Sequence, residues 1–431
     1  MQMSKWTMIS LLALGLGLAA CGEDDPTTGT LNGVVTDMQT GAVLAGITVT
    51  TDPATETVTT AADGSFEIED VDPANYVLHF SAAGYVPEQG EAAAEAGETA
   101  TTDVAIGSQH YHVAEAARSF LALSKLETSD PNYFSPITTA TALHDKLYDS
   151  DSANDPLVVS VRAGADYAAG HVPTAINIGW KAVADDASLA TLGDPATAKP
   201  IVDYCYTGNT GGIASSVLNM LGYRAQNMKY GIVAWTPDTT ARGANGVEPD
   251  LTKDFTVETD VNTATETFTP PLLASEGVET PQDAVQAAAQ AYLANPVMAP
   301  TIGAQTLFDN LNDGNADNDP FIISVRKATD YAIGHIPGAI NIPWNDIALA
   351  ENLAKIPTDR DIVVYCYTGH TGAVATGVLG VLGYHKVKNL KYGMAGWTQD
   401  ASVRATTVFD AATDVKDFAI VTGTEPGTIT P

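Results

Sequence analysis

The sequence predicts a multidomain protein in which an all-β sandwich precedes two α/β domains with parallel sheets flanked by helices. The sandwich is predicted by residues 31–107, which alternate apolar and polar side chains around turns such as Asp63-Gly64. The two later domains are predicted because the chain repeats itself from about residue 110. In each copy, short continuous apolar runs, at 157–161 and 321–325, alternate with helical patterns. Parallel sheets, which are buried on both faces, require such runs.

These patterns divide the chain into six segments. In order they are a signal peptide at 1–20, a tether at 21–30, the β-sandwich at 31–107, a first repeat at 110–246, an acidic linker at 247–280 and a second repeat at 281–425. Two copies at this spacing indicate a domain duplication, because a solenoid needs more and shorter units. The names first repeat and second repeat are kept below.

The charge of the chain limits its partners. It contains 20 Lys+Arg against 52 Asp+Glu, which gives a formal net charge of −32. A surface this acidic repels nucleic acid and anionic lipid headgroups, so no nucleic-acid partner is expected. The charge favours a solubility adaptation to a salty or extracellular setting over charge-steered binding.

The N-terminal segment predicts export. Lys5 provides a positive start, residues 6–20 are mostly apolar, and the apolar run ends at Cys21 before acidic residues. The stretch "LAAC" at 18–21 resembles the lipobox of bacterial lipoproteins. That resemblance implies cleavage before Cys21, acylation of Cys21, and a membrane-anchored protein of the bacterial cell envelope that faces the periplasm or the exterior. The alternative is plain secretion with an incidental Cys21.

The other two of the three cysteines lie in matching loops. "VDYCYTGNTGG" contains Cys205 and "VVYCYTGHTGA" contains Cys366, each between an apolar strand and a helical pattern. Loop glycines allow several backbone N–H groups to point inward, and such a nest at a helix N-terminus stabilises a thiolate. A disulfide between the two cysteines is the alternative, and their places in separate repeats argue against it.

Two chemistries use a cysteine-centred loop of this type. A cysteine phosphatase needs an arginine six positions after the cysteine to bind phosphate bidentately. Gly211 and Gly372 occupy those positions, and neither loop contains Arg or Lys. Sulfur transfer needs only the N–H cradle, since the thiolate attacks a sulfane sulfur and carries it as a persulfide. The loops therefore favour sulfur transfer.

Several motifs together resemble the rhodanese (thiosulfate sulfurtransferase) family in tandem form. They are the stretches at 159–178 and 323–343, the loops "CYTGNT" and "CYTGHT", and the closing segments "YGIVAW" and "YGMAGW". The resemblance implies that Cys205 and Cys366 carry the persulfide. It also implies substrate-binding cradles made of Tyr206, Thr207, Gly208, Asn209 and Thr210 in the first repeat and of Tyr367, Thr368, Gly369, His370 and Thr371 in the second.

The same resemblance implies the partners. They are a small sulfane-sulfur donor (thiosulfate, polysulfide or a persulfide) and a thiophilic acceptor, with no cofactor. No Cys/His spacing supports a metal site, so no metal is expected. The sandwich resembles the carboxypeptidase regulatory-like family through Gly33, Asp63-Gly64-Ser65-Phe66 and Gly84-Tyr85. The alternative function is a non-catalytic extracytoplasmic scaffold that uses rhodanese-like domains for binding, because a fold alone does not prove activity.

Other repeated residues are expected to be structural. Arg162 and Arg326 are expected to hold a loop or helix end, His171 and His335 to pack in turns, and Trp235 and Trp397 to lie in the core. The family commonly has Asp where this chain has Ser160 and Ser324.

The two thiol sites are expected to differ. Asp203 lies two residues before Cys205, on the same face of a strand, where its charge would disfavour a thiolate. The corresponding residue in the second repeat is Val364, and His370 there adds a hydrogen-bond donor or a partial positive charge. Both differences favour Cys366 as the faster site. Because the loops lack cations, polysulfide or persulfide donors are expected to react better than dianionic thiosulfate.

Overall fold

The computed structural model describes residues 26–273, 277–295 and 299–429. The predicted lipidation site Cys21 and the signal segment before it lie outside those residues. Within the described ranges, no helix combines the length and apolar character needed to cross a membrane. The chain forms an N-terminal β-sheet domain followed by two parallel-sheet α/β domains, which confirms the predicted fold class.

The N-terminal domain consists of two sheets. Its strands are β1 (Gly29–Asp37), β2 (Thr48–Asp52), β3 (Val58–Thr59), β4 (Ser65–Val71), β5 (Ala74–Ser81), β6 (Glu88–Ala94), β7 (Thr99–Thr101) and β8 (Val104–Ile106). One sheet has the order β4-β1-β7 with β8 also on β1, and the other has the order β3-β2-β5-β6. The apolar residues of the alternating sequence pattern are the ones that the structure buries: Leu31 and Val35 of β1 and Ile68 of β4 are fully buried.

The first repeat begins with a long helix and continues as alternating strands and helices. Its elements are α1 (Gln109–Leu123), β9 (Ile137–Thr138), α2 (Ala140–Leu147), β10 (Leu157–Ser160), α3 (Gly164–Ala169), β11 (Ile176–Asn177), a 3₁₀ helix (Trp180–Ala182), α4 (Asp186–Leu192), β12 (Ile201–Tyr204), α5 (Asn209–Met220), β13 (Ala225–Met228), α6 (Gly231–Trp235) and α7 (Thr239–Arg242).

The second repeat has nearly the same sequence of elements. They are α8 (Pro281–Ala294), β14 (Thr301–Ile302), α9 (Ala304–Leu311), a 3₁₀ helix (Ala316–Asn318), β15 (Phe321–Ser324), α10 (Ala328–Ile333), β16 (Ile340–Asn341), a 3₁₀ helix (Trp344–Asp346), α11 (Ala350–Leu353), β17 (Ile362–Tyr365), α12 (His370–Val381), β18 (Val387–Leu390), α13 (Gly393–Trp397), α14 (Ala401–Arg404) and α15 (Ala411–Asp414).

The two parallel sheets share one strand order. It is β11-β10-β12-β13-β9 in the first repeat and β16-β15-β17-β18-β14 in the second. The middle strands β12 and β17 are buried along their whole length because helices cover both sheet faces. Each middle strand ends one residue before a loop cysteine, at the carboxyl edge where parallel sheets bind ligands.

Helices α5 and α12 pack against each other across the repeat boundary. The sequence predicts one apolar face on α5, yet the structure buries nearly every residue of that helix. The second side is buried because small residues let the two helices approach closely. A Cβ added at Gly377 would lie 2.0 Å from Ser216 Oγ, and one added at Gly212 would lie 2.8 Å from Ala373 Cβ. These positions tolerate no larger residue without a shift of the helix pair.

The segments that follow the repeats are exchanged between them. Residues 251–262 follow the first repeat but pair with the second: Phe255 N–H donates to Trp397 O (2.9 Å), and Glu258 forms an antiparallel bridge with His335. Residues 416–426 follow the second repeat but pair with the first, where Val421 bridges His171 and the Trp235 indole N–H donates to Ala419 O (2.8 Å). Part of the stretch expected to be a linker is therefore packed on the second repeat.

Candidate active site

Each loop cysteine receives a backbone hydrogen bond on its sulfur. Gly208 N–H donates to Cys205 Sγ and Gly369 N–H donates to Cys366 Sγ, both at 3.1 Å. The two glycines have φ of +84° and +89°, a left-handed conformation that turns the loop back over the sulfur and starts the following helix. An N–H donor at a helix N-terminus favours the anionic form of a thiol or a persulfide. Both cysteines are buried and free of any disulfide.

The closing segments donate backbone hydrogen bonds to the cysteine loops. In the first repeat, Ile232 N–H donates to Cys205 O (3.0 Å); in the second, Met394 N–H donates to Cys366 O (2.9 Å). The donors are available because Tyr230 and Tyr392, with φ of +61° and +63°, turn the chain just before α6 and α13. A tyrosine in this conformation is strained, so the surrounding contacts must fix it.

Tyr206 and Tyr367 fasten the loops to the helices α3 and α10. Each hydroxyl donates to an aspartate, Asp166 or Asp330, and accepts a backbone N–H at 3.2 or 3.1 Å. Burial raises the pKa of Tyr367 to about 12, and its hydrogen bond to Asp330 adds to the rise. Both tyrosine hydroxyl groups are therefore neutral and already engaged in hydrogen bonds at the edge of the loop.

The residues expected to be structural are structural. The buried Arg162 guanidinium donates to Ala241 O and Gly170 O, both at 2.6 Å, and to Ser160 Oγ at 3.3 Å. Arg326 repeats the pattern in the second copy. Within the residues described, neither arginine has a carboxylate at ion-pair distance. The expected roles of the histidines and tryptophans are also confirmed: His171 and His335 stack on tyrosines, and Trp235 and Trp397 are buried.

His370 connects the two repeats. Its Nε2 accepts a hydrogen bond from Tyr230 N–H at 3.0 Å, and its Nδ1 lies 3.1 Å from Thr368 Oγ1. Because a backbone N–H can only donate, Nε2 carries no proton and the neutral ring has its proton on Nδ1. Burial, helped by the charge of Lys229, lowers the pKa of His370 to about 3. The prediction of a partial positive charge on His370 is therefore wrong.

A second inter-repeat contact involves Asn209 of the first loop. Its Oδ1 accepts from Asn389 Nδ2 at 2.7 Å, and its Nδ2 donates to Thr207 Oγ1 at 3.0 Å. Asn389 also donates to Gly369 O at 2.9 Å, so it supports the second loop directly. Asn209 and His370, both predicted to bind substrate, thus have side chains engaged between the repeats. This placement leaves the substrate-binding assignment itself as a prediction.

Asp203 is a buried acid beside Cys205. Both of its carboxyl oxygens lack a hydrogen-bond partner among the described residues. Burial raises the pKa of Asp203 well above its ordinary value of 3.8, and negative charge on Cys205 raises it further. Both effects favour the neutral form of the carboxyl group. The expected repulsion between an Asp203 carboxylate and the thiolate is reduced to the extent that the side chain is neutral.

A cavity of about 470 Å³ opens at Cys205. Its wall contains Tyr206, Thr207, Asn209 and Thr210 of the predicted cradle, and it also contains residues that the sequence analysis missed: Trp180, Lys181, Asn245, Thr301 and Lys391. Thr301 and Lys391 belong to the second repeat. Burial raises the pKa of the neighbouring Tyr392 to about 12, a hydrogen bond with Thr207 opposes the rise, and negative charge on Cys205 adds to it. The Cys205 site is thus built from both repeats.

The buried acid predicts a stability change for Asp203→Val, which installs the residue found in the second repeat. Removing an unpartnered buried polar group should raise the free energy of unfolding by about 1–3 kcal/mol. The folded-state pKa of Asp203 is raised, so a further, pH-dependent cost of this residue is absent below pH 3.8 and grows as pH rises towards that folded pKa. Chemical denaturation at several pH values should show a gain that increases with pH. The reciprocal change Val364→Asp should destabilise, and a pH-independent gain would contradict the assignment.

The buried imidazole predicts a loss of stability in acid. The folded-state pKa of His370 is depressed from 6.5 to about 3, so its contribution is complete above pH 6.5 and falls as pH drops. The slope should be about 1.4 kcal/mol per pH unit between those limits. His370→Asn, which installs the residue of the first loop, should destabilise at neutral pH but remove this slope. As a control, His79→Asn in the sandwich should have the same pH slope of the unfolding free energy as wild type. If His370→Asn also keeps that slope, the assignment of His370 as a neutral buried imidazole is wrong.

Comparison with known proteins identifies the families of the domains. A family model described as "Rhodanese-like domain" matches residues 139–238 and 304–400, and one described as "Carboxypeptidase regulatory-like domain" matches residues 30–107. Across the described part of the chain, no group of three or more His, Cys, Asp or Glu side chains could hold a metal ion.

Individual relatives match parts of this chain. A protein named "Sulfurtransferase" from Allochromatium vinosum is 31% identical over 102 residues, which are 24% of this chain and 91% of the relative. The adenylyltransferase/sulfurtransferase MoeZ of Mycobacterium tuberculosis is 37% identical over 78 residues, 18% of this chain and 20% of MoeZ. Reduced CoADR-RHD of Bacillus anthracis is 24% identical, with a TM-score of 0.21, over 33% of this chain and 23% of that one. Through its two duplicated α/β domains, the chain belongs to the rhodanese-like family.

Proposed function

We propose that this protein is an exported, lipid-anchored sulfurtransferase that carries sulfane sulfur as a persulfide on Cys205 and Cys366. The observation that carries the proposal is the duplicated thiol site. In both repeats the cysteine sulfur lies at the carboxyl end of the middle strand and accepts the glycine N–H that opens the next helix. The same donor suits a thiolate before the reaction and a persulfide anion after it.

The reaction can be written for thiosulfate as donor. The cysteine thiolate attacks the outer sulfur, a bond forms between Sγ and that sulfur, the donor S–S bond breaks, and sulfite leaves with the electron pair. A nucleophilic acceptor such as cyanide then attacks the outer sulfur of the persulfide, and the cysteine leaves as a thiolate. The protein holds the sulfur through the glycine N–H and fixes the loop through Ile232 or Met394.

The glycine at the sixth position after each cysteine supports sulfur transfer over phosphate chemistry. A Cβ added at Gly211 would lie 2.3 Å from Asn227 Oδ1, and one added at Gly372 would lie 2.5 Å from Asn389 Oδ1. A phosphatase arginine at this position would therefore collide with the asparagine of the neighbouring strand. The bidentate clamp that phosphate transfer needs has no room in either loop.

The envelope location is supported by the sequence. The apolar segment before Cys21 has the length and small residues of an export signal, and the acidic net charge of −32 suits an extracytoplasmic surface. In chain order, the sandwich lies between Cys21 and the first repeat.

The catalytic part of the proposal predicts persulfide formation on the loop cysteines. After incubation with a sulfane donor, mass spectrometry should find one added sulfur atom on the peptides of Cys205 and Cys366, and cyanide should release thiocyanate. The double variant Cys205→Ser/Cys366→Ser should lose turnover by about 10³-fold or more, since the covalent step has no nucleophile. Cys21→Ser should keep full turnover as the matched thiol control.

The alternative, a non-catalytic scaffold, makes the opposite prediction. It expects neither added sulfur nor thiocyanate above the level of the double variant. That result, obtained with protein whose unfolding transition matches wild type, would reject the enzyme assignment.

The anchor predicts a change in partitioning. Wild type expressed in a bacterium with lipoprotein processing should sediment with membranes and be released by detergent. Cys21→Ser should be found in the soluble extracytoplasmic fraction, because no acyl chain is attached. Membrane association of Cys21→Ser equal to that of wild type would reject the lipid anchor and leave the sulfur chemistry untouched.

A further inference from the structure

We infer that the two thiol sites accept donors of different charge, and that Lys181 and Lys391 make Cys205 the site for small dianionic sulfur donors. The inference rests on the proposed sulfur-transfer function and adds to it the specificity-determining residues. It replaces the donor preference expected from the sequence, which considered only cations inside the loops.

Both lysines border the cavity at Cys205. Lys181 lies on the 3₁₀ helix Trp180–Ala182 of the first repeat, and Lys391 follows strand β18 of the second. Both side chains belong to exposed residues. Among the described residues, no carboxylate lies within ion-pair distance of either one. Lys181 Nζ lies 3.4 Å from Asn295 O and 5.5 Å from the Trp180 ring centre, and neither of these partners carries a formal charge.

The corresponding wall in the second repeat has a different charge. The 3₁₀ helix Trp344–Asp346 occupies the position of Trp180–Ala182, so Asn345 replaces Lys181 and Asp346 replaces Ala182. Asp346 forms an ion pair with Lys125 of the first repeat. At the matched positions of this 3₁₀ helix, the second repeat therefore lacks the lysine, and its Asp346 is paired with Lys125.

The counterpart of Lys391 is also less available. Lys229 follows strand β13 as Lys391 follows β18. It is half-buried, and its Nζ lies 4.9 Å from the centre of the Tyr230 ring. Its charge acts on the neighbouring His370, whose pKa it helps burial to lower. Among the described residues, the Cys205 cavity is thus bordered by two exposed lysines that form no ion pair.

The cations matter because the protein as a whole repels anions. With a net charge of −32, a dianion approaching the surface is disfavoured unless local positive charge compensates. In thiosulfate the sulfur that is transferred faces Cys205 Sγ, so the sulfonate end points away from the loop towards the cavity wall. Lysines on that wall stabilise the donor and, more strongly, the sulfite that leaves with the electron pair. A cavity of about 470 Å³ has ample room for this group.

Alkylation rates measure the charge preference of each thiol without any sulfur transfer. Wild type is treated in parallel with iodoacetate, an anion, and iodoacetamide, its neutral isostere, and the rates at Cys205 and Cys366 are read from their separate peptides. The ratio of anionic to neutral rate should be about 3- to 10-fold higher at Cys205 than at Cys366 at low salt, and the difference should shrink at high salt.

Exchanging the natural residues tests the assignment to Lys181. Lys181→Asn should lower the ratio at Cys205 by about 3-fold or more, and Asn345→Lys should raise the ratio at Cys366 by a similar factor. Lys391→Gln should lower the ratio at Cys205, whereas the remote exposed change Lys386→Gln should alter neither. The inference would be overturned if the ratio of anionic to neutral rate were equal at the two cysteines in wild type. It would also be overturned if none of these substitutions changed the ratio.

Turnover distinguishes failure of this inference from failure of the proposed function. The single-cysteine variant that retains only Cys205 is compared with and without Lys181→Asn. This change should lower kcat/KM for thiosulfate, while the value for an uncharged sulfane donor, a dialkyl trisulfide, should remain within about 2-fold. Charge-selective alkylation without any thiocyanate formation would support the anion site at Cys205 but reject the proposed sulfurtransferase activity. Thiocyanate formation with no charge selectivity would retain the enzyme and reject the roles of the lysines.

Discussion

Two buried hydrogen bonds across the repeat boundary hold the thiol loops in one arrangement. Tyr230 N–H donates to His370 Nε2, and Asn389 Nδ2 donates to Asn209 Oδ1. Leaving either buried group unpaired costs about 1–3 kcal/mol, so separating the repeats disfavours both loops at once. The same Tyr230 turns the chain into α6, whose N–H groups hold the Cys205 loop. Interface and thiol loop are therefore one continuous hydrogen-bonded unit.

This arrangement makes each repeat part of the other's site. Thr301, which begins β14, and Lys391, which follows β18, both line the Cys205 cavity. The backbone is close to symmetric, with matched strand order, matched glycine N–H contacts and matched buried arginines. The chemistry is not symmetric, because three substitutions fall on positions that touch the sulfur, the interface or the cavity wall: Asp203 with Val364, Asn209 with His370, and Lys181 with Asn345.

Much of this could be predicted from the sequence because it depends on local pattern. Continuous apolar runs predicted β10 and β15, and the loop glycines predicted the N–H contacts to sulfur. Charge states could not be predicted, since the ionisation of Asp203 and His370 depends on burial that only tertiary packing determines. The cavity lysines were missed for a related reason: Lys391 lies 186 positions after Cys205 (391 − 205), and nothing in the repeat pattern says which face of one copy meets the other.

The exchanged segments have a consequence for the order of folding. The first repeat obtains its last edge contacts from residues 416–426, with partners 184 positions apart at Trp235 and Ala419 and 254 apart at His171 and Glu425. While the chain emerges during synthesis, the first repeat is complete in sequence but lacks these contacts, and its His171 edge stays open until the far end of the chain arrives. Such late, long-range closure slows folding and exposes apolar surface to wrong partners. The second repeat has no such delay, because residues 251–262 are made before it.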